Sequence, residues 1–272
     1  MIRIKSRRDL EKMRVAGRAL ADVFVETAPL MKPGAVTYEI DQAVESAIRK
    51  RGAIPAFKGY KGGASSPFPS SACISIDSEV VHGIPSSRKL QSGQLVGFDV
   101  GLELDGWFAD MAASFLIGST TELKQRLWKT TREALYKGIE QARNGNKLAD
   151  VGGAIQDWIE GHGYSVIRDL VGHGIGSSLH EEPAVPNYRS RDGNVQLRAG
   201  MTLAIEPMVS AGGYRIKTLS DGWTAATADA SPTCHFEHTV LVTEDDPEIL
   251  TLTSNGFDPW FLPLTERESS YV

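Results

Sequence analysis

The chain has 272 residues, with 29 Lys and Arg against 34 Asp and Glu for a net charge of −5, and 41% of its residues are hydrophobic. That balance, without Lys/Arg runs, lacks the electrostatic footprint of a protein that binds nucleic acid or an anionic membrane. No apolar run approaches the ~20 residues that cross a bilayer, and the length suits one large core or two fused halves. The opening MIRIKSRRDLEKM lacks the apolar middle of a signal peptide, which predicts a cytoplasmic protein whose two cysteines, Cys73 and Cys234, stay reduced.

In chain order, Leu10, Met13, Val15, Ala16, Leu20 and Val23 recur at helical spacing over residues 7–28, and Pro33-Gly34 closes that helix with a turn. Thr37 reads as the N-cap of a second helix running to about Arg51-Gly52. Residues 59–71, rich in Gly, Ser and Pro, read as an irregular loop. Strands follow over 72–76, 95–103 and 107–117. The order then recurs, with helices over 121–142 and 146–161 and strands over 201–210, 214–219 and 235–243. Residues 220–232, dense in Ala, Thr and Ser, read as a loop at a pocket rim. Two helices followed by strands, twice over, predict two related halves, roughly 1–118 and 119–250, with a tail over 251–272, all in one domain.

Asp105-Gly106 stands between the apolar runs LVGFDVGLEL and WFADMAASFLIG, a hairpin signal. A turn centred there sets Asp110 opposite Gly101, on the strand face that carries Asp99. A turn centred one residue earlier pairs the two aspartates directly. Either register puts both carboxylates on one face. Solvated aspartates are the plain alternative, but Gly97 and Gly101 flank Asp99, and such small neighbours leave room for something bulky.

His173 sits in GHGIG, where glycines permit close backbone approach. Glu206 in LAIEPMV and Glu237 in CHFEHTVLV lie among apolar neighbours where a surface carboxylate is hard to explain, and His235 shares the face of Glu237 as a neighbour or a further ligand. A lone buried carboxylate costs several kcal/mol, whereas four carboxylates balance two divalent cations. Asp99, Asp110, His173, Glu206 and Glu237 therefore point to a two-metal enzyme. Co, Mn, Fe, Zn and Ni all tolerate such an oxygen and imidazole set.

EVVHGIP at 79–85, the Asp99/Asp110 hairpin, GHGIGSSLHEEP at 172–183, AIEPM at 204–208 and FEHT at 236–239 follow one another at compatible spacing. With these pieces in that order, the chain over residues 7–245 resembles the type I methionine aminopeptidases. The resemblance implies an α+β fold of the pita-bread type, two pseudo-symmetric halves of helices packed on a curved, mainly antiparallel sheet with two divalent metal ions between them. It implies that Asp99 chelates one ion, that His173 and Glu206 hold the other, and that Asp110 and Glu237 bridge them. Glu206 would manage the proton of the nucleophile, His180 would serve as an oxyanion donor, and His82 would bond the peptide near its leaving side. Cys73, Tyr60, Phe68, Leu179 and Trp223 would line the methionine pocket, a soft and aromatic surface suited to a thioether. The implied activity is removal of initiator methionine from nascent polypeptide N-termini with a small second residue, near the ribosome exit, by a monomer.

Two positions depart from that pattern. Type I enzymes carry a hydroxyl residue two positions after the first aspartate and another just after the second, where this chain has Gly101 and Met111; water positioning at the metals is expected to differ. Asp-Val-Gly also resembles the aminopeptidase P and prolidase branch. An Xaa-Pro peptidase is therefore the second reading, and a metal-free peptide-binding module of the same fold is the third. HGIP, AIEPM and the Glu-His-Thr ending favour the first, and the stretch 173–206 leaves no space for the helical insertion of a type II enzyme.

Overall fold

The computed structural model describes residues 2–62, 66–190 and 194–260; residues 63–65 of the predicted loop and 261–272 of the predicted tail lie outside the described residues. Helix α1, Arg7–Thr27, starts at a reciprocal cap, with the Ser6 hydroxyl accepting the Asp9 amide and the Asp9 carboxylate accepting the Ser6 amide. Helix α2, Thr37–Lys50, corrects one expectation: its N-cap is Val36, and Thr37 is its first residue. The amides of Thr37 and Tyr38 donate instead to the carbonyls of Arg88 and Ser86, while the Thr37 hydroxyl exchanges hydrogen bonds with the Ser86 backbone. Tertiary carbonyls thus do the work of a side-chain cap. Helix α3 is Glu122–Ile139, capped by Thr121, and helix α4 is Leu148–Gly161.

A nine-stranded sheet runs through both parts of the chain, and all its pairings are antiparallel. The hairpin strands Leu95–Leu104 and Trp107–Leu116 join the second half through Glu237–Leu241, which continues to Thr202–Ile205, Gly172–Gly174 and Glu181–Val185. One face packs on the helices. Phe98, Val100, Leu102, Ala109, Met111, Ala113, Leu203 and Ile205 share a buried cluster with Leu20 and Phe24 of α1, Val44 of α2, Leu135 of α3 and Ile155 of α4. Burial of this many aliphatic side chains is the main force holding helices to sheet.

Two predicted strands break where the site needs them to. The stretch 201–210 divides at Glu206-Pro207, because proline has no N–H for a ladder; Thr202–Ile205 stays in the large sheet while Met208–Ser210 pairs with Thr233–His235. The stretch 235–243 divides likewise at Phe236. The predicted strand 214–219 narrows to Ile216–Thr218, and part of the predicted rim loop is a strand, Ala225–Thr227, between Ile216–Thr218 and Glu79–Val81. That small sheet brings Trp223 and Thr224 to His82, whose carbonyl accepts the Thr224 hydroxyl.

Candidate metal centre and adjoining pocket

The hairpin adopts the first of the two predicted registers, with Gly101 opposite Asp110 and Asp99 opposite Ala112. Cys73 faces Asp99 from the other side, and Ala112 faces Glu237. Cys73, Asp99, Ala112 and Glu237 therefore form one row across four strands, and Asp110 lies two residues from Ala112 on the same face. The second half repeats the device: His173 is opposite Ala204, and Glu206 lies two residues beyond it. Alternation sends Phe98, Val100 and Met111 into the helix-covered core and turns the ligand candidates to the opposite face.

The five side chains converge. His173 Nε2 lies 3.9 Å from Asp110 Oδ2 and 3.7 Å from Glu206 Oε1. Single ligand atoms of Asp110, His173 and Glu237 fall within 4.8 Å of one another, as do those of Glu206, His235 and Glu237. The Asp99 and Asp110 carboxyls lie close enough to shift one another's titration. His173 Nδ1 meets the Gly174 carbonyl at 2.8 Å, which assigns it the proton and leaves the Nε2 lone pair facing the carboxylates. His235, left open between neighbour and ligand by its position, puts Nε2 3.6 Å from Glu206 Oε2.

Burial pushes the Asp110 carboxyl up to about 7. Burial, then the neighbouring carboxylates, holds Asp99, Glu206 and Glu237 well above the ordinary range. Burial likewise lowers His173 and His235 to about 3. Asp99 Oδ1, Glu237 Oε1 and His235 Nε2 are buried without a hydrogen-bond partner. Four carboxylates and neutral imidazole nitrogens, held together away from water with atoms to spare, fit hard or borderline divalent cations.

A cavity of about 280 Å³ opens on this cluster. All five ligand candidates line it, with His82, His180, Tyr60, Phe68, Cys73, Leu179 and Trp223. Trp223 packs edge-on against Phe68 and His82, and the His180 ring lies 4.2 Å from that of His173 and 5.0 Å from that of Tyr60. Burial lowers His180, and burial followed by the charge of His180 lowers His82 to about 4, so both rings are neutral near pH 7.

Phe57, Val81, Leu170 and Met208 also line the cavity, and the sequence reading missed them. For Phe57 the signal was Gly101: a Cβ there would stand 2.7 Å from Phe57 Cε1 and 3.2 Å from Ala56 Cβ. The bulk that Gly101 makes room for is a phenyl ring. The expectation for Met111 is also corrected: its fully buried side chain packs in the core on the far face of the strand, where it has no part in arranging water at the cavity. Gly101→Thr is expected to cost about 1–3 kcal/mol in denaturant unfolding by overpacking, and Phe57→Ala should restore most of that loss. An unchanged unfolding midpoint for the single variant would contradict the packing.

A strand-borne cluster of this composition, on a sheet backed by four helices, is a candidate metal centre. Metallopeptidase family M24 matches residues 11–244, and the chain belongs to that family. Within it, the chain is 44% identical to the methionine aminopeptidase of Clostridium perfringens (strain 13 / Type A), over 93% of this chain and 99% of the relative. The crystal structure of methionine aminopeptidase from Thermotoga maritima superposes with a TM-score of 0.88 at 44% identity, covering 92% of this chain and 99% of that one. The prolidase from Pyrococcus furiosus has the same fold, with a TM-score of 0.72 at 22% identity, covering 92% of this chain and 65% of that one. The pita-bread architecture is thus common to both branches, while the high identity lies with the methionine enzymes.

Proposed function

We propose that this chain is a methionine aminopeptidase, an exopeptidase of the metal-dependent hydrolases that releases initiator methionine from nascent polypeptides whose second residue is small. The observation that carries the reading is the convergence of four buried or half-buried carboxylates and His173 at one end of a cavity walled by Tyr60, Phe68, Cys73, Leu179 and Trp223. Asp99, Asp110, His173, Glu206 and Glu237 would hold two divalent cations, and such ions supply Lewis acidity that polarises a scissile carbonyl and makes water easier to deprotonate. Glu206, ionised beside the cations, takes a proton from the attacking water and passes it to the leaving amine. Neutral His180 donates a hydrogen bond to the carbonyl oxygen as negative charge develops there, and His82 bonds the peptide beside the leaving nitrogen. The aromatic and sulfur-bearing walls take up the methionine side chain.

The same reading makes residues 1–272 one catalytic domain of two related halves, roughly 1–118 and 119–250, with a tail over 251–272. It also makes the protein a cytoplasmic monomer that meets its substrates near the ribosome exit. No helix among the described residues is long and apolar enough to cross a membrane.

Assays of the metal-loaded protein on Met-Ala-Ser beside an Ala-Pro peptide test the reading, together with elemental analysis for two bound ions per chain; cleavage of the proline substrate alone would overturn it. His180→Ala is expected to lower kcat by about 10²–10³-fold, as loss of an oxyanion donor does, with metal content intact. Loss of metal in that variant would place His180 in the coordination shell instead.

A further inference from the structure

Outside the cavity, a buried ion pair ties the N-terminal segment to the loop that carries His180. Lys5 is only 5% exposed, and its Nζ donates to Glu181 Oε2 at 2.8 Å. The other oxygen of the same carboxylate accepts the Ser177 amide at 2.7 Å, the Ser177 hydroxyl at 3.2 Å and the Ser178 amide at 3.3 Å. One side chain therefore closes residues 177–181 into a ring, with His180 inside it and next to Glu181 in the chain.

The anchor on the other side is equally specific. The Lys5 amide donates to the Gly200 carbonyl, and the Gly200 amide to that of Val242, which fixes the segment to the second half of the chain. Arg3 adds a hydrogen bond to the Ser177 hydroxyl at 2.8 Å. Gly176 lies directly against the pair: a Cβ there would come within 2.6 Å of both Lys5 Cε and Glu181 Oε1. An ion pair is not the cheapest way to fill a buried space, since apolar replacements of equal volume are often neutral or stabilising. What an apolar pair could not supply is a carboxylate directed at two loop amides.

We propose that the Lys5–Glu181 pair is a positioning device for catalysis, fixing the 176–181 loop so that His180 meets the substrate in one orientation. The inference rests on His180 acting as the oxyanion donor. Displacement of a catalytic group by about 1 Å costs on the order of 10²-fold in rate, so the carboxylate that ties residues 177–181 together is where such control has a large effect.

A double-mutant cycle on the metal-loaded full chain, with Met-Ala-Ser as substrate, tests this. Lys5→Met alone is expected to lower kcat on the order of 10- to 100-fold with KM and bound metal little changed. In a His180→Ala background the same substitution should change kcat by less than about twofold, because the group it positions is gone. A merely structural pair would give equal losses in both backgrounds, and that result overturns the proposal, as does an unaffected kcat in Lys5→Met. Should Lys5→Met fail to fold, Glu181→Gln keeps a carbonyl oxygen for the two amides and supplies the same cycle. An unchanged kcat in His180→Ala alone would remove the oxyanion assignment itself, whereas a loss there combined with additivity would remove only the positioning role.

Discussion

Stripped of divalent ions by a chelator, the protein is expected to lose thermal stability as pH rises above about 7.5, while the same protein refilled with Mn²⁺ keeps a nearly constant Tm. Burial raises Asp110 from 3.8 in an open environment to about 7 in the fold and holds Asp99, Glu206 and Glu237 well above their ordinary range. A group whose folded pKa is raised contributes stability that is complete below its unfolded pKa and is lost as pH climbs through the folded one. Buried histidines have the opposite sign: His82, lowered to about 4, and His173 and His235, lowered to about 3, add stability as pH rises toward 6.5. Above about 7.5 they are largely neutral in both states, so the raised carboxylates lead the slope, roughly 1 kcal/mol per pH unit for each group still titrating. Bound cations favour the ionised carboxylates and stabilise by mass action, so the gap between the two Tm curves should widen with pH. A metal-free Tm that is flat or climbs between about pH 7.5 and 9 would contradict the carboxylate cage.

Asp110→Asn is expected to lower kcat/KM by roughly 10³-fold or more, the equivalent of about 4 kcal/mol of transition-state stabilisation, and to reduce bound metal below two ions per chain. Glu237→Gln should behave alike, because each carboxylate is proposed to bridge the two ions. The same substitution should raise the Tm of the chelated protein at pH 7.5. It removes one of four mutually repelling groups, yet an asparagine oxygen can still accept the Met111 amide that Asp110 Oδ1 accepts at 3.0 Å. Opposite signs for metal-free stability and for activity distinguish a ligand from a residue that merely packs. Near-normal turnover in either variant would refute the bridging assignment.

Much of this site is legible in the chain because its signals are local. Asp105-Gly106 with apolar runs on both sides specifies a hairpin, and a period of two then places Asp99 and Asp110 together without any long-range information. Pro207 next to Glu206 marks a break in pairing, and the break is what turns the strand from the large sheet to the small one. The cap of α2 was not legible, since the groups that satisfy its first amides belong to Ser86 and Arg88, some fifty residues away. The neighbour of Gly101 was not legible either: a glycine announces a close approach but does not say what approaches.

By itself, the sequence determined the number and order of the helices, the hairpin, the candidate ligands and their likeness to one enzyme family, because hydrophobic period, turn chemistry and motif spacing are properties of contiguous residues. Only the tertiary structure decided that Glu237 stands in line with Asp99, that His173 and Glu206 repeat the arrangement of Asp99 and Asp110, that Phe57 occupies the space beside Gly101, and that Lys5 reaches Glu181. Those contacts join residues up to 176 positions apart. They depend on which strands neighbour one another in a sheet, a choice made by burying one face against four helices and encoded at no single place in the chain.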